Sequence, residues 1–463
     1  MSEKISLRDE LLYDKKTVYE KANKARFDAA FTYAEGYKAF LDDAKTEREA
    51  VTAAIALAAE RGFLPYRLGD KLERGKKYYY NNHDKSLFLF SIGAEPLAKG
   101  IRIAAAHIDS PRLDLKQVPL FEDGGMSFLK THYYGGIRKY QWVTTPLALH
   151  GVVAKKDGSL VQIKLGEAAN DPVFYINDLL PHLGHETDKL PLGEAIPGER
   201  LNVLVGSMPM ENEEKDAVKL KTMALINEKY GITEEDFLSA EISAVPAFPA
   251  RDVGFDRSMV GAYGHDDRVC AYPALSAIFD AADSAHTLFC VLADKEEIGS
   301  EGNTGMQCEV FLDLIDEIAA ATGESPARVR AAAKCLSADV SAAFDPNFAE
   351  VFEKRNTPLL SAGVVLTKYT GARGKSGTND ASAEYIGWLR RVMDENEVVW
   401  QAGELGKVDI GGGGTVAKYI AKHNIDTVDL GVPVISMHAP YEIISKVDLY
   451  ETYRAFLAFF RAE

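Results

Sequence analysis

Residues 286–297, HTLFCVLADKEE, form an apolar run that ends in a cluster of charged side chains. A helix is predicted before this run, over 266–283, and a second helix after it, over 309–323. Helices and strands alternate from about residue 255 to the end of the chain, and IRIAAAH at 101–107 has the same strand character. Such alternation is typical of an α/β layer. We therefore predict an α/β fold with a mixed, largely parallel central sheet flanked by helices.

The middle of the chain has a different pattern. Residues 116–249 contain a series of short strands, with a turn expected at 156–159, followed by loops and a charged helical stretch. This pattern indicates a mostly antiparallel module with little chemistry of its own. The simplest architecture is a discontinuous α/β domain, residues 1–115 and 250–463, into which a β-rich domain is inserted at 116–249.

Composition excludes several classes of protein. A chain of 463 residues favours two domains, and its formal net charge of −16 argues against a nucleic-acid partner. No apolar run approaches the ~20 residues of a membrane span. The N-terminus, MSEKISLRDELLYDKK, has no apolar signal core, and the four cysteines form no CxxC motif. We expect a cytoplasmic protein whose cysteines are reduced thiols.

Potential metal ligands or bases follow four of the apolar strands. They are His107, the pair Glu296-Glu297, Asp339 and His438, and Asp266-Asp267 stands at the start of a predicted helix. Each group alone has a simpler explanation, such as a structural hydrogen bond, a solvated turn or a helix cap. In an open α/β sheet, however, functional sites gather at the carboxyl ends of the strands. Two imidazoles and at least three carboxylates at one sheet edge would be costly without counter-charges, and histidine with carboxylate is typical zinc ligation.

Five motifs extend this argument from single residues to a family. The sequence resembles the aspartyl aminopeptidase and aminopeptidase I family of co-catalytic zinc exopeptidases, which is related to the tetrahedral, self-compartmentalising aminopeptidases. The resemblance runs in order over nearly the whole chain, including the inserted domain. Its motifs are AAHIDSPRLD (105–114), GHDDR (264–268), DKEEIGS (294–300), LSAD (336–339) followed by DPN (345–347), and ISMH (435–438).

The resemblance implies a role for each matching residue. It implies that Asp266 bridges two zinc ions, for which manganese or cobalt could substitute. His107 and Asp339 would complete one metal site, and Glu297 and His438 the other. Glu296 would be the general base, and Asp109 would orient the first ligand shell.

The inserted domain is expected to serve assembly. The resemblance implies dimers assembled into a tetrahedral dodecamer, in which a histidine of this domain reaches a neighbouring active site. His185 is the candidate for that role, with His182 as the alternative.

The segment KYTGARGKS (368–376) follows a predicted strand, which places it at the same sheet edge as the metal ligands. It is either a solvated basic loop or a substrate site in which Arg373 or Lys375 binds an acidic side chain. The glycines at 411–414 favour close backbone approach around the site over phosphate binding, because the P-loop lysine is missing.

The sequence also departs from the family pattern. The stretch SAAFDPN (341–347) lacks two histidines usual there, and GARGKSGTND (371–380) replaces a more basic and aromatic string. A preference for N-terminal Asp or Glu is expected, but a neutral preference stays open. A dipeptidase, carboxypeptidase or deacylase could use the same site, and a non-catalytic assembly protein is a further alternative. The complete set of ligands together with Glu296 favours an enzyme that acts on peptides.

Overall fold

The computed structural model describes residues 7–13 and 15–463. Residues 1–6 and 14 of the N-terminal segment, on which the expectation of a cytoplasmic protein partly rests, lie outside this part of the chain. Among the residues described, no helix combines the length and the apolar composition that crossing a membrane requires.

The described residues form twelve α-helices, with the following bounds: α1 Leu7–Leu11, α2 Val18–Lys21, α3 Lys24–Asp43, α4 Glu47–Glu60, α5 Leu192–Ala195, α6 Ala217–Tyr230, α7 His265–Asp280, α8 Val310–Thr322, α9 Pro326–Ala332, α10 Ala383–Glu395, α11 Ala417–Ala421 and α12 Lys446–Arg461. They also form twenty-one strands: β1 Leu64–Pro65, β2 Lys77–Asn82, β3 Ser86–Ser91, β4 Arg102–His107, β5 Arg112–Asp123, β6 Met126–Tyr134, β7 Leu147–Ala154, β8 Leu160–Leu165, β9 Tyr175–Ile176, β10 Val203–Gly206, β11 Ala240–Pro246, β12 Arg251–Val253, β13 Met259–Ala262, β14 Leu288–Ala293, β15 Lys334–Ser337, β16 Ser341–Ala342, β17 Val364–Thr367, β18 Trp400–Ala402, β19 Asp426–Gly431, β20 Pro433–Ile435 and β21 Glu442–Ser445.

A nine-stranded sheet is the centre of the molecule, in the order β1-β2-β3-β14-β4-β15-β19-β17-β18. The four adjacent strands β14, β4, β15 and β19 are parallel. The strands on either side of them run antiparallel to this group, β3 to β14 and β17 to β19. The predicted mixed α/β fold class is therefore confirmed.

The central strands read as continuous apolar runs because helices cover both faces of the sheet. Every residue of β4 and of β14 is buried. On one face the core contains side chains of α3, α4, α7, α10 and α12. On the other face it contains side chains of α8, α9 and α11. Polar side chains at the strand ends are therefore held by a rigid layer.

Seven antiparallel strands form a second sheet, in the order β8-β7-β11-β5-β6-β10-β9. Helix α6 packs on this sheet. The turn expected at 156–159 joins the hairpin of β7 and β8. Strand β5 begins at Arg112, so this sheet starts four residues before the predicted insertion at 116.

A small five-stranded sheet, in the order β12-β13-β21-β20-β16, was not foreseen from the sequence. The stretch 427–438, predicted as one strand, is divided into β19, in the central sheet, and β20, in the small sheet. Strand β20 pairs in parallel with β16, which begins two residues after Asp339. This pairing brings the segment that carries His438 beside Asp339.

Candidate metal centre

The carboxyl ends of the parallel strands carry the predicted ligands. His107 is the last residue of β4, Glu296 and Glu297 follow β14, and Asp339 follows β15. Two further segments meet them there. Asp266 lies at the start of α7, and His438 lies between β20 and β21.

The Asp266 carboxylate lies between the two imidazoles. Its Oδ1 is 3.2 Å from Nε2 of His107, and its Oδ2 is 3.1 Å from Nε2 of His438. Asp266 is buried, with 3% of its surface exposed. Each oxygen of one carboxylate thus faces a different histidine.

The remaining carboxylates surround this arrangement. Glu297 Oε1 is 3.4 Å from Nε2 of His438, and Asp339 Oδ1 is 3.9 Å from Nε2 of His107. Glu296 Oε2 is 4.0 Å from the same His107 nitrogen. All six predicted residues are brought together.

Asp267 also belongs to the cluster, although the family resemblance implies a ligand role for Asp266 alone. It is fully buried, and one of its oxygens lies within 4.8 Å of ligand atoms of both His107 and Asp339. The helix start is irregular here, because Asp266 and Asp267 have non-helical backbone angles. The helix predicted to start at residue 266 therefore begins with two residues whose backbone is not helical.

Several acid oxygens in the cluster have no hydrogen-bond partner within the described part of the chain. They are Oδ1 of Asp266, Oε1 of Glu297 and both carboxylate oxygens of Asp267. Burying unpaired carboxylates is costly, and a divalent cation would supply the missing counter-charge. Imidazole nitrogens with carboxylate oxygens are ligands that zinc accepts, so the residues present fit such an ion.

The pKa shifts of the cluster also favour a bound cation. Burial raises the pKa of Glu297 and of Asp339 well above the usual range. For Asp266, burial would raise the pKa, but the two adjacent histidines outweigh it, and the pKa falls below its usual value. Burial alone would lower the pKa of His438, but Asp266 and Glu297 raise it to about 10. The cluster therefore favours positive charge at its centre.

Both imidazoles are oriented by partners on the side away from Asp266. Nδ1 of His107 is 3.2 Å from Oδ1 of Asp109 and 3.0 Å from the Asp109 carbonyl oxygen. Nδ1 of His438 is 2.7 Å from the carbonyl oxygen of Gly136. Because Nδ1 is engaged in each ring, Nε2 is left to face the centre.

Glu442 is a residue of the site that the sequence argument missed. Its Oε2 accepts the backbone N–H of Asp266 at 3.1 Å, and its Oε1 accepts that of His438 at 2.7 Å. Only 1% of its surface is exposed. One buried carboxylate therefore fixes two ligand-bearing segments, and its only sequence signal is its place four residues after His438.

A cavity of about 260 Å³ opens beside the cluster. Glycines 412–414 and Thr415 form part of its wall. A Cβ on Gly412 would lie 2.1 Å from the Gly371 carbonyl oxygen, and φ there is +112°. The glycine run therefore allows the close backbone approach that the sequence indicates.

Arg373 and Lys375 do not line this cavity. Both are exposed, and Lys375 Nζ donates to Asp380 at 2.9 Å. Thr367, at the end of β17, and Thr370 do line the cavity, so this segment lies near the ligands although its two basic side chains do not line the cavity. His182 and His185 lie in an exposed segment of the inserted region, and neither lines the cavity of its own chain.

Comparisons with known proteins agree with this geometry. Residues 40–460 match the family model described as aminopeptidase I zinc metalloprotease (M18). The chain is 49% identical over 460 residues to a Clostridium acetobutylicum protein named "Probable M18 family aminopeptidase 1", covering 97% of this chain and 99% of that protein.

The chain belongs to the M18 family of zinc aminopeptidases.

Solved structures of the M18 family have the same fold. The crystal structure of the M18 aminopeptidase from Thermotoga maritima is 43% identical with a TM-score of 0.93, covering 97% of this chain and 99% of that one. The mApe1 dodecamer of S. cerevisiae is 20% identical with a TM-score of 0.76, covering 94% and 97%, and this likeness concerns the fold alone.

Membership in the M18 family identifies the type of reaction among the alternatives that the sequence left open. The protein is a metal-dependent aminopeptidase, a hydrolase of peptide bonds, and the metal of its family is zinc. The alternative of a non-catalytic assembly protein is therefore excluded.

Proposed function

We propose that the protein is a dinuclear zinc aminopeptidase that removes N-terminal residues from peptides. The observation that carries this proposal is the Asp266 carboxylate, whose two oxygens face His107 and His438 separately. In this proposal Asp266 would be a ligand of both ions. His107 and Asp339 would hold the first ion and Glu297 and His438 the second, and manganese or cobalt could substitute.

Glu296 is the proton carrier in this proposal. Zinc ions held by these residues would supply Lewis-acid chemistry, which polarises a carbonyl and lowers the pKa of water. Glu296 borders the cavity, and burial raises the pKa of its carboxyl, which favours proton uptake. It accepts a proton from the attacking water and passes it to the amine of the departing peptide. The Asp109 carboxylate accepts the Glu296 backbone N–H at 3.1 Å and so fixes this residue.

The neighbouring glutamates provide a matched pair of variants. Glu296→Gln should lower kcat by at least about 10²-fold with zinc content unchanged, because it removes the acid–base group and no ligand. Glu297→Gln should instead lose zinc. Steady-state kinetics and elemental analysis of both purified variants check this. Wild-type turnover in Glu296→Gln would reject the assignment of the base.

The walls of the cavity support a preference for neutral N-terminal residues, which was the alternative to acidic specificity. Beyond the ligand cluster, the cavity is lined by small or apolar side chains, including Val340, Ser341, Thr367, Thr370, Leu405 and Met437. Within the described part of the chain, no lysine or arginine lines it. Asp429 does line it, and burial raises the pKa of this acid to about 7. Beyond the ligand cluster, an acidic substrate side chain would therefore meet no lysine or arginine and one further acid.

Leucyl substrates should be cleaved better than aspartyl substrates by at least about 10-fold in kcat/KM. An aspartyl side chain would lack the hydrogen bond to a basic partner that contributes roughly 1.5–3 kcal/mol of binding free energy. Arg373→Ala and Lys375→Ala should leave this ratio unchanged. Kinetics on aminoacyl amides with matched leaving groups give the ratio. A wild-type preference for aspartyl or glutamyl substrates that either variant abolishes would support acidic specificity instead.

The inserted domain, residues 116–249, is proposed to drive assembly into dimers and then a tetrahedral dodecamer in the cytoplasm. Strands β8 and β9 end its sheet and leave edges that a second copy can pair with. The segment with His182 and His185 exposes five leucines, which favours contact with another chain: Leu179, Leu180, Leu183, Leu190 and Leu192. The solved yeast relative is a dodecamer. His185 is the residue proposed to reach the neighbouring active site.

Mass measurement in solution should give close to twelve times the 50.8 kDa of one chain. Leu160→Asp, on the exposed edge strand β8, should weaken assembly because it places a charge on that edge. Leu68→Asp, on an exposed loop next to the nine-stranded sheet, is the matched control and should leave the mass unchanged. Fully active wild-type monomers would contradict the assembly proposal.

A further inference from the structure

The segment Tyr134-Gly135-Gly136 belongs to the inserted region but contacts the metal centre. It begins where β6 ends, in the seven-stranded sheet. From the sequence, this region was expected to have little chemistry of its own, and the structure corrects that expectation.

Tyr134 contacts the carboxylate that supports the ligand cluster. Its hydroxyl donates to Oδ2 of Asp109 at 2.8 Å. The same Oδ2 accepts the backbone N–H of Glu297 at 3.2 Å. Oδ1 of Asp109 accepts the N–H of Glu296 and lies 3.2 Å from Nδ1 of His107. Asp109 is completely buried, so the tyrosine hydroxyl is one of the few donors that hold this acid in place.

The two glycines fit closely against the ligands. A Cβ on Gly135 would lie 3.2 Å from Cβ of Glu297, and φ at this glycine is +72°. The Gly136 carbonyl oxygen is the acceptor for Nδ1 of His438. The segment therefore contacts Asp109, one glutamate ligand and one histidine ligand.

The Tyr134 ring is held from its other side by Arg112. The guanidinium carbon lies 4.0 Å from the ring centroid. Arg112 is itself buried and forms ion pairs with Asp114 at 2.8 Å and Glu47 at 3.2 Å. These contacts restrict the ring, so its hydroxyl has a defined position relative to Asp109.

We propose that Tyr134 is a positioning residue for the aminopeptidase reaction. Its hydroxyl fixes the Asp109 carboxylate, which in turn sets the His107 ring and the backbone that carries Glu296 and Glu297. The inserted sheet therefore takes part in shaping the metal centre as well as in assembly. This inference rests on the proposed roles of His107, Glu296 and Glu297.

Tyr134→Phe tests it, because this change removes only the hydroxyl and keeps the ring against Arg112. Tyr133→Phe is the matched control, since Tyr133 is the adjacent tyrosine and is 44% exposed. Tyr134→Phe should lower kcat by about 10- to 100-fold, which is the usual effect of disturbing the hydrogen bonds that orient a metal ligand. KM should stay within about 2-fold, because Tyr134 does not line the cavity. The visible spectrum of the cobalt-substituted enzyme should change in Tyr134→Phe and not in Tyr133→Phe.

A double-mutant cycle with Asp109→Asn shows whether the hydroxyl acts through Asp109. If it does, the double variant should be no slower than Asp109→Asn alone. Independent, multiplicative losses would overturn the inference, as would a wild-type kcat and cobalt spectrum in Tyr134→Phe. Glu296→Gln separates the two proposals: if it keeps full turnover, the proposed function fails. If Glu296→Gln is inactive while Tyr134→Phe is normal, only the role of Tyr134 fails.

Discussion

The buried Asp266 carboxylate between two imidazoles is the constraint on which the rest of the site depends. Each of its oxygens faces Nε2 of a different histidine, at 3.2 Å and 3.1 Å. Removing such a charge from water costs several kcal/mol, so the surrounding chain must supply compensating charge and hydrogen bonds. The His107 ring, the His438 ring and the backbone contact from Glu442 each meet part of that requirement.

Three parts of the fold contribute to this arrangement. The parallel strands bring His107, the glutamate pair and Asp339 to one edge of the central sheet. The small five-stranded sheet brings His438 to the same place through the pairing of β16 with β20. The seven-stranded sheet adds Tyr134 and Gly136 behind the ligands. The ligands are therefore fixed by segments far apart in the chain, which is what a preorganised site requires.

Much of the centre could be predicted from the sequence because its residues follow apolar strands. A strand with helices on both faces reads as a continuous apolar run, and the potential ligands that follow it mark the end of the sheet. His107, Glu296 and Asp339 were found in this way. The motif resemblance then assigned their roles, and it also identified the family.

Other features could not be predicted because they depend on how distant segments pair. The direction of β17 is set by its antiparallel pairing with β19, and local sequence does not reveal it. The segment after β17 reaches the cavity at Thr370, whereas Arg373 and Lys375 further along are exposed and do not line it. Tyr134 and Glu442 were missed for a similar reason, since their importance lies in hydrogen bonds to other segments: Tyr134 to Asp109, and Glu442 to Asp266 and His438.

The central claim is that Asp266 is shared by two zinc ions. Crystals of the zinc-loaded protein, measured with X-rays above and below the zinc absorption edge, test this claim most directly. The account predicts two anomalous peaks, one on each side of the Asp266 carboxylate and about 3.5–4 Å apart. A single peak, or two peaks of which only one contacts Asp266, would contradict it.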